Sequence, residues 1–511
     1  MFYSKKSKYP ELKNIVVDIT DFSKGLNFNV EENILDPNYC VNAYNFAYKK
    51  GVLTEGYGFE TLTCPNYEDE VITEVYLNPD HPVPELANVW FYKMYDDEQG
   101  GRIDKLMYYA ENNTRLYFNR AMTIAPMINK FTEIMFPEKP CFTYNYKFEG
   151  YDYNLIGSEQ LGVVMFDGYI EPVKISTCPN MSSLCLDKGK MFCTSYGDRN
   201  CIYYHVGDNI LEWTTESDDY NGKIEMNDNR GKINKVFSFL GYVYAIRDYG
   251  ISKITNYEGK LKFDISHLSL YGNKIYENTT NICGDKMFML TKDGIASFNG
   301  VTSKILNLGV NDFLKGVNND NAIAVFHAGK YYLACKLNFN DNTLVGCESL
   351  ESGYKNNALI ILDVQTLDYD IVRGIDVADM ESIQINKMDK VALVLNSIKR
   401  DLPLQLTDNG CFYQTPLKKE WNSPLTDLGY SNKIKLIKDV SLLSLYDITL
   451  TIYTEKESKT FIIPGNNTLS KIKVNLKGKQ IGVKIESETE KAYVSNLKFN
   501  IDLLDYEFTR F

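Results

Sequence analysis

A degenerate repeat of β-rich runs is the sequence feature that most limits the folds open to this chain. Seven such runs follow a turn that carries Gly or Asp, and their starts lie 39 to 60 residues apart. They begin at positions 104, 150, 189, 241, 284, 329 and 389. A period of about 40 to 50 residues is typical of four-stranded propeller blades, whose apolar faces only neighbouring blades can bury. The spacing therefore predicts a β-propeller of about six to eight blades.

Turn chemistry and composition support an all-β chain. Asp293-Gly294 separates two apolar runs, and Asp248-Tyr249-Gly250 separates another pair. Asp-Gly is a strong hairpin pattern because glycine adopts the positive φ that such turns require. Aromatic residues make up 13% of the chain, with 38 Tyr and 26 Phe, and they favour pleated surfaces over helices.

The segment before the repeats predicts an extended arm with one short helix, within a first region of residues 1–64. Asp36 is a suitable N-cap and Pro37 suits the first helical position. Tyr39, Ala43 and Phe46 would form the apolar side of that helix.

The segment after the repeats has a different pattern. The propeller is expected to occupy residues 65–415, and residues 416–511 alternate apolar and polar positions between turns such as the one at Pro464-Gly465. Five or six strands at this spacing predict a separate C-terminal β-sandwich.

Charge and cysteine usage exclude some classes of protein. The formal net charge is -12, which argues against a protein that grips nucleic acid through its phosphates. No run approaches the ~18 apolar residues of a membrane span, and the first ten residues lack the apolar core of a signal peptide. Eleven cysteines without a CxxC pair are expected to be free thiols in a reducing cytosol.

A search for catalytic and ligand-binding patterns favours a protein that is not an enzyme. The four histidines lie far apart, outside any HExxH pattern, and no P-loop or Rossmann fingerprint is present. We therefore predict no catalytic residue, no metal site and no cofactor. Glu212, Asp218 and Asp219 could supply paired carboxylates for glycoside cleavage, although a solvated loop is the favoured interpretation.

Three lysines form a candidate basic face. Lys471, Lys473 and Lys477 lie at alternating positions of one predicted strand, which places them on the same side. Such a face usually protects a sheet edge from aggregation. The alternative is a basic patch that meets an acidic partner subunit or DNA.

Local patterns in the arm resemble the opening of a known family. Residues 21–27 read DFSKGLN, residues 35–37 read LDP, and residues 43–46 read AYNF. A GVL turn at 51–53 and EGYGF at 55–59 follow. This order is similar to the F-x-G-G-L-N arm, short helix, G-x-L turn and R-P-G-Y element of the tail nozzle, or tail tubular B, proteins of short-tailed bacteriophages and of the related phage stabilisation proteins.

Two further patterns extend the resemblance along the chain. Residues 199–208 with Trp213 look like the family's R-N-x-h-x-x-S-x-x-G-D…W blade hairpin. Residues 421–429, WNSPLTDLG, look like its W-x-S-P-x-x-x-L-G entry into the C-terminal sandwich. The sequence departs from the family pattern at Lys24, where the family has glycine, and at Glu55-Gly56-Tyr57, where Arg-Pro-Gly is usual.

The resemblance implies a structural protein of the virion tail, made in the host cytoplasm. Copies would form a ring, by resemblance a hexamer, that docks on an adaptor or upper tail ring protein and lines the channel for DNA ejection. Double-stranded DNA would pass without sequence-specific binding. Under this interpretation the docking arm includes seven candidate residues: Phe22, Gly25, Leu26, Asn27, Pro37, Asn45 and Phe46.

Two alternatives remain open. One is a glycan-binding or glycoside-cleaving propeller of a tail tip or cell surface, which should bring carboxylates, arginines and aromatic residues together at one mouth of the propeller. The other is a monomeric cellular interaction propeller, in which the arm would have no role.

Overall fold

A computed structural model describes most of the chain. The described residues are 13–27, 31–62, 64–65, 71–72, 84–96, 101–102, 104–119, 131–168, 172–259, 261–270, 274–339, 353–385, 388–396, 400–401 and 403–504. The first ten residues, on which the signal-peptide expectation falls, lie outside this set.

Within the described residues, seven antiparallel sheets follow one another along the chain, and we number them ring sheets 1 to 7. Ring sheet 1 comprises Leu86–Tyr92, Lys105–Ala110, Arg115–Asn119 and Phe131–Met135. Ring sheet 2 comprises Phe142–Phe148, Tyr151–Ser158, Gly162–Phe166 and Val173–Ile175. Ring sheet 3 comprises Met181–Asp187, Lys190–Ser195, Cys201–Val206 and Asn221–Glu225. Ring sheet 4 comprises Ile233–Phe239, Tyr242–Arg247, Gly250–Asn256 and Phe263–Leu270.

The last three ring sheets follow the same order. Ring sheet 5 comprises Asn281–Cys283, Lys286–Thr291, Gly294–Phe298 and Ser303–Ile305. Ring sheet 6 comprises Ile323–His327, Lys330–Cys335, Ala358–Asp363 and Tyr369–Arg373. Ring sheet 7 contains Val377–Ile385, Met388–Leu395 and Leu404–Thr407 from this part of the chain.

The repeat in the sequence corresponds to one strand per sheet. The seven β-rich runs coincide with the second strand of each ring sheet, from Lys105–Ala110 in the first to Met388–Leu395 in the last. The predicted hairpin at Asp293-Gly294 is confirmed, because Thr291 pairs with Gly294 and two residues form the turn between them. The hairpin across Asp248 is confirmed likewise by the pairing of Arg247 with Gly250.

Buried apolar clusters join each ring sheet to the next and the last to the first. Trp90 of ring sheet 1 packs in one cluster with Phe166 of ring sheet 2, and five further clusters continue the series to ring sheet 7. The seventh cluster contains Ile383 and Val394 of ring sheet 7 together with Val89 of ring sheet 1. The described strands therefore form a closed, propeller-like all-β ring, whose apolar faces are buried between sheets.

The arm supplies the strand that completes ring sheet 7. Gly58–Thr61 pairs antiparallel with Leu404–Thr407, in register from Gly58 opposite Thr407 to Thr61 opposite Leu404. The Gln405 side chain donates a 2.7 Å hydrogen bond to Glu60 Oε1 across this pair. On the other side of the arm strand, Phe412 pairs in parallel with Phe59, and the short strands Cys411–Phe412 and Thr415–Pro416 extend the sheet.

Two more sheets pack together beside ring sheets 5 and 6, and we call them end sheets A and B. End sheet A comprises Lys13–Ile19, Phe46–Lys49, Val52–Glu55, Ile434–Ser444, Ser470–Gly478 and Tyr493–Leu504. End sheet B comprises Asn42–Tyr44, Lys419–Asn422, Ile448–Thr454, Ser458–Ile463 and Ile481–Ser487. One buried cluster contains residues of both end sheets and of ring sheets 5 and 6. The C-terminal strands do not stand alone, since four arm strands complete the two sheets.

The predicted arm helix is wrong. Asp36 Oδ1 accepts a 2.9 Å hydrogen bond from Asn38 N, but the bond closes an isolated turn and no helix follows. Ala43 and Phe46 lie in strands of end sheets B and A, and Asn45 between them has a φ of 59°. Tertiary pairing with the C-terminal strands therefore overrides the local capping pattern.

The remaining described elements are short. Two small hairpins pair Cys64–Pro65 with Val71–Ile72 and Tyr95–Asp96 with Gly101–Arg102. The helical turns are the 3-10 turns Phe22–Lys24, Glu32–Ile34, Ile210–Glu212 and Glu277–Thr279, and the α-helical turn Asn311–Leu314.

We expect Gly58→Ala to destabilise the protein by about 2 kcal/mol, because the ring-closing strand has no room for a side chain. A Cβ at position 58 would lie 2.0 Å from Asn409 Oδ1 and 2.6 Å from Cys411 N. Exchange of backbone amide hydrogens should accelerate in Leu404–Thr407, which pairs with the arm strand. It should also accelerate in Leu86–Tyr92 of ring sheet 1, which packs on ring sheet 7. Gly284→Ala is the matched control, since nothing lies within 4 Å of its added Cβ and only its φ of 70° is strained. Equal exchange in the two variants would contradict a closing role for the arm strand.

Candidate functional site

The first strands of all seven ring sheets line one cavity, which we call the axial cavity. Its volume is about 570 Å³. Each ring sheet contributes at least one first-strand residue to its wall: Asn88, Thr143, Ser182, Lys235, Asn281, Val325 and Asp379. The closed ring therefore brings together side chains that are far apart in the sequence.

Asp379 holds the seam between ring sheets 7 and 1. Its Oδ2 accepts hydrogen bonds from Asn88 Nδ2 and from Val89 N, each at 3.0 Å. Its Oδ1 accepts a 2.9 Å bond from Met380 N. A carboxylate with these donors links the two sheets at the point where the ring closes.

Glu381 is the second carboxyl group of this wall. It follows Asp379 by two positions on the same strand, and both side chains line the axial cavity. Burial raises the pKa of Asp379 to about 6. Burial and the neighbouring Asp379 charge raise the pKa of Glu381 to about 8. Both pKa values are raised, so the pair holds a proton to higher pH than two exposed carboxyl groups would, and Glu381 holds it more strongly than Asp379.

Cationic and aromatic groups complete the cavity wall. Lys235 is half-buried, and loss of solvation lowers its pKa. Arg199 pairs with Glu277 at 3.1 Å, and its guanidinium lies 4.9 Å from the ring centroid of Tyr196. The wall therefore presents charges of both signs beside apolar ring surfaces.

Neutralising Glu381 should reduce the loss of stability at high pH. The folded state binds a proton at Glu381 up to about pH 8, whereas the unfolded carboxyl releases it near its ordinary value of 4.5. The contribution of Glu381 to the free energy of unfolding is therefore fully present below pH 4.5. It is lost as the pH rises from 4.5 to about 8. We expect Glu381→Gln to raise the melting temperature relative to the native protein more at pH 8.5 than at pH 5.5. Glu488→Gln is the control. A melting-temperature difference between Glu381→Gln and the native protein that does not change with pH would contradict the assignment.

The predicted docking arm lies within the chain's own core for most of its candidate residues. Phe22 is fully buried and packs edge to face on Trp421, with ring centroids 4.9 Å apart. Leu26 is buried. Gly25 has a φ of 70°, and its O accepts a 2.9 Å hydrogen bond from Cys40 N. Asn27 N donates to Cys40 O at 3.2 Å.

The other three arm candidates lie against the end sheets, and two of them, Asn45 and Phe46, also contact the ring. Pro37 is half-buried and lines a narrow cleft with Ile19 and Phe499. Phe46 is buried in the cluster shared by the end sheets and ring sheets 5 and 6. Docking of this arm to another protein stays a prediction, and buried side chains can contribute to it only by holding the arm in place.

Asn45 connects three parts of the molecule. Its Nδ2 donates a 2.7 Å hydrogen bond to Lys418 O, and its Oδ1 accepts a 2.7 Å bond from Arg373 N. Its own N donates to Ile371 O at 2.8 Å. The guanidinium of Arg373 lies 3.8 Å from the ring centroid of Phe339 and 4.7 Å from that of Tyr44. Arm, ring sheet 6 and the start of end sheet B therefore meet at one buried amide.

We expect Asn45→Ala to destabilise the protein by about 2 to 4 kcal/mol. The substitution removes two buried hydrogen bonds and places a less suitable residue at positive φ. Asn496→Ala is the matched control, because Asn496 has a φ of 54° but an exposed side chain. Guanidinium unfolding should give a clearly larger loss for position 45, and equal losses would assign the effect to backbone strain alone.

The candidate basic face lies on an edge strand. Lys471, Lys473 and Lys477 are all exposed on Ser470–Gly478, which forms one edge of end sheet A. The face is not uniformly basic, because Lys471 Nζ lies 3.4 Å from Asp439 Oδ1. Nearby on the same sheet, Lys438 pairs with Asp502 at 2.9 Å. The strand placement agrees with the sequence pattern, and the role of the face stays a prediction.

The loop carboxylates considered for glycoside cleavage do not join the axial cavity. Asp218 accepts hydrogen bonds from Tyr220 N at 2.7 Å and Asn221 N at 2.6 Å, which close a surface turn. Asp379 and Glu381 line the cavity from one strand, and neither residue was predicted from the sequence. Their only sequence signal is a pair of acidic residues at alternating positions within the β-rich run 377–385.

The described part of the chain contains neither a group of metal-ligating side chains nor a membrane-crossing helix. No group of three or more His, Cys, Asp or Glu side chains there could hold a metal ion. No helix in the same residues has the length and apolar character that crossing a membrane requires.

Comparisons with known proteins give distant structural similarity. No protein-family model matches the chain, and no curated protein matches it. The extracellular domain of BT4673 from B. thetaiotaomicron is 12% identical over 90% of this chain, with a TM-score of 0.41, and this chain spans 63% of its length. The Neurospora crassa Pan2 WD40 domain is 9% identical over 68% of this chain and 94% of its own, with a TM-score of 0.37. BBS1N in complex with ARL6DN is 8% identical over 65% of this chain and 96% of its own, with a TM-score of 0.40.

Proposed function

We propose that this protein is a structural subunit of a short bacteriophage tail, part of a ring through which DNA is ejected. The observation that carries the proposal is the way the arm joins the other two parts. Its strands enter both end sheets, and the strand Gly58–Thr61 closes ring sheet 7. Among the described residues, the arm strands and one shared buried cluster connect the ring to the end sheets, and a firmly connected subunit suits a tail component.

The finer architecture belongs to this proposal. Seven sheets joined by seven buried clusters support a seven-bladed propeller, with the arm strand as the last strand of the seventh blade. The shared buried cluster supports a β-sandwich formed by end sheets A and B. The order of arm, propeller and sandwich is the order that the nozzle resemblance implies.

The mechanism that we propose is mechanical and electrostatic, with no enzymatic step. Each copy carries a net charge of -12, so a channel lined by such copies repels DNA phosphates and does not retain the genome. The proposed partners are further copies of the chain, with a hexamer expected by resemblance, and an adaptor or upper tail ring protein. The proposed location is the tail of the virion.

Ring formation is the test of this proposal. Light scattering at two salt concentrations should give a mass several times the 58.6 kDa of one chain, and negative-stain images should contain rings with a central hole. Virions of the source phage should contain the chain when analysed by mass spectrometry. A particle of single-chain mass at both salt concentrations, together with absence from virions, would overturn the proposal.

Charge reversal tests whether the basic face contributes to assembly. We expect the double variant Lys473→Glu and Lys477→Glu to lower the fraction of rings about tenfold at low salt, because each replaced charge would repel an acidic neighbouring surface. Lys286→Glu is the control, since this lysine is exposed on ring sheet 5 and does not belong to an end sheet. Equal ring fractions in the three proteins would leave the lysines with only the edge-protecting role.

A further inference from the structure

One loop of ring sheet 3 exposes apolar and acidic side chains together. Residues 208–220, which we call the acidic loop, join the third and fourth strands of that sheet. The loop contains five Asp or Glu residues and no Lys or Arg. Leu211 and Tyr220 in this loop are 47% and 61% exposed. Exposed apolar side chains within a surface of one charge sign favour an interface with another protein.

Buried side chains hold the acidic loop in one shape. Ile210 and Trp213 are fully buried. Ile210 N donates a 3.0 Å hydrogen bond to Tyr146 Oη of ring sheet 2, and Leu211 N donates to Asn209 Oδ1 at 3.1 Å. The exposed Leu211 therefore lies on an anchored turn, and a partner does not have to pay the entropy of ordering it.

The opposite charge lies on the outer strands of the two end sheets. We call residues 458–479 the basic edge. It comprises Ser458–Ile463 at one edge of end sheet B, Ser470–Gly478 at one edge of end sheet A, and the turn between them. It contains five Lys residues and no Asp or Glu. Ile462 and Leu469 are 82% and 53% exposed, so the basic edge also combines apolar side chains with one sign of charge.

The lysines of the basic edge have two different environments. Lys459 Nζ donates to Val474 O at 2.8 Å and to Asn475 O at 2.9 Å, which covers part of the edge of end sheet A. Lys473 and Lys477 are exposed, and neither pairs with a carboxylate of the described residues. Because Lys459 blocks the addition of another strand there, a partner would contact the side chains of this edge.

Two carboxylates of the acidic loop are available in the same way. Asp218 closes the turn at Tyr220, but Glu216 and Asp219 are exposed and form no ion pair within the part of the chain that the structure describes. The acidic loop and the basic edge therefore present formal charges of equal size and opposite sign to solvent.

The two surfaces lie on different sides of one subunit. The end sheets share a buried cluster with ring sheets 5 and 6, and ring sheet 4 lies between these sheets and ring sheet 3. A contact between copies that joins two different surfaces is heterologous, and such contacts close into a ring when the rotation between copies allows it.

We propose that the basic edge of one copy binds the acidic loop of the next copy. Opposite charges favour this pairing, whereas contacts between two edges or between two loops would bring like charges together. The exposed apolar side chains of both surfaces would be buried in the contact. This proposal rests on the proposed tail-ring function and names the surfaces through which the copies meet.

Mixing two charge-reversed variants of the full chain tests the contact. The edge variant carries Lys473→Glu and Lys477→Glu, and the loop variant carries Glu216→Lys and Asp219→Lys. Each variant alone lacks one native surface, so we expect it to associate with itself about tenfold more weakly than the native protein at low salt. The mixture retains one native contact, between the loop of the edge variant and the edge of the loop variant. Sedimentation velocity should therefore give a 1:1 complex in the mixture.

A control variant separates the contact from a general effect of net charge. Asp285→Lys combined with Asp408→Lys changes the net charge as much as the loop variant does, and both carboxylates are exposed outside the two surfaces. We expect this control to associate like the native protein. Thermal unfolding checks that all variants are folded. Equal weakening by the control and the loop variant, or a mixture without a 1:1 complex, would overturn the contact.

The outcomes also separate this contact from the tail-ring function. Rings of native mass in both variants would overturn the contact and leave the ring function standing. A 1:1 complex in the mixture, without rings of the native protein, would support the contact and count against the ring. Native copies that do not associate at low salt would overturn the contact, and the analysis of virions would then decide the tail function.

Discussion

The pairing of Gly58–Thr61 with Leu404–Thr407 is the constraint on which the rest of the structure depends. The hydrogen bond from Gln405 to Glu60 joins residues 345 positions apart. Closing so long a loop costs chain entropy, but the cost grows only with the logarithm of loop length. The cost is offset by burial of Phe59 and Leu404 between ring sheets 6 and 7. Without this pair, ring sheet 7 would lose the strand that follows Leu404–Thr407 in the sheet.

The arm also makes the ring and the end sheets one body. Asn45 bonds to ring sheet 6 and to the segment that enters end sheet B, while Phe22 packs on Trp421. Phe22 and Trp421 lie in the same buried cluster as the facing residues of both end sheets. An interface of this kind resembles a domain core more than a contact between mobile domains. The arm therefore has a structural role within the chain, whatever further partner it meets.

The sequence predicted features that repeat locally, and it missed features that depend on closure. The second strands and the Asp293 hairpin could be predicted because each has its own turn chemistry. The helix at Asp36-Pro37 was mistaken because a capping pattern also fits an isolated turn, and only pairing with distant strands distinguishes the two. The Asp379 site could not be predicted for the same reason, since its partners Asn88 and Val89 precede it by about 290 residues.

Closure by an N-terminal strand determines when the ring can be completed during synthesis. The strand Gly58–Thr61 is translated before all seven ring sheets, but its partner Leu404–Thr407 is translated only after six of them. Until then the nascent chain carries an unpaired strand edge, which is prone to wrong pairing. End sheet A is completed later still, because its strand Tyr493–Leu504 follows Leu404–Thr407 in the chain. A chain that stops before Leu404 lacks the partner of the strand Gly58–Thr61. The ring can therefore be completed only after translation has passed Thr407.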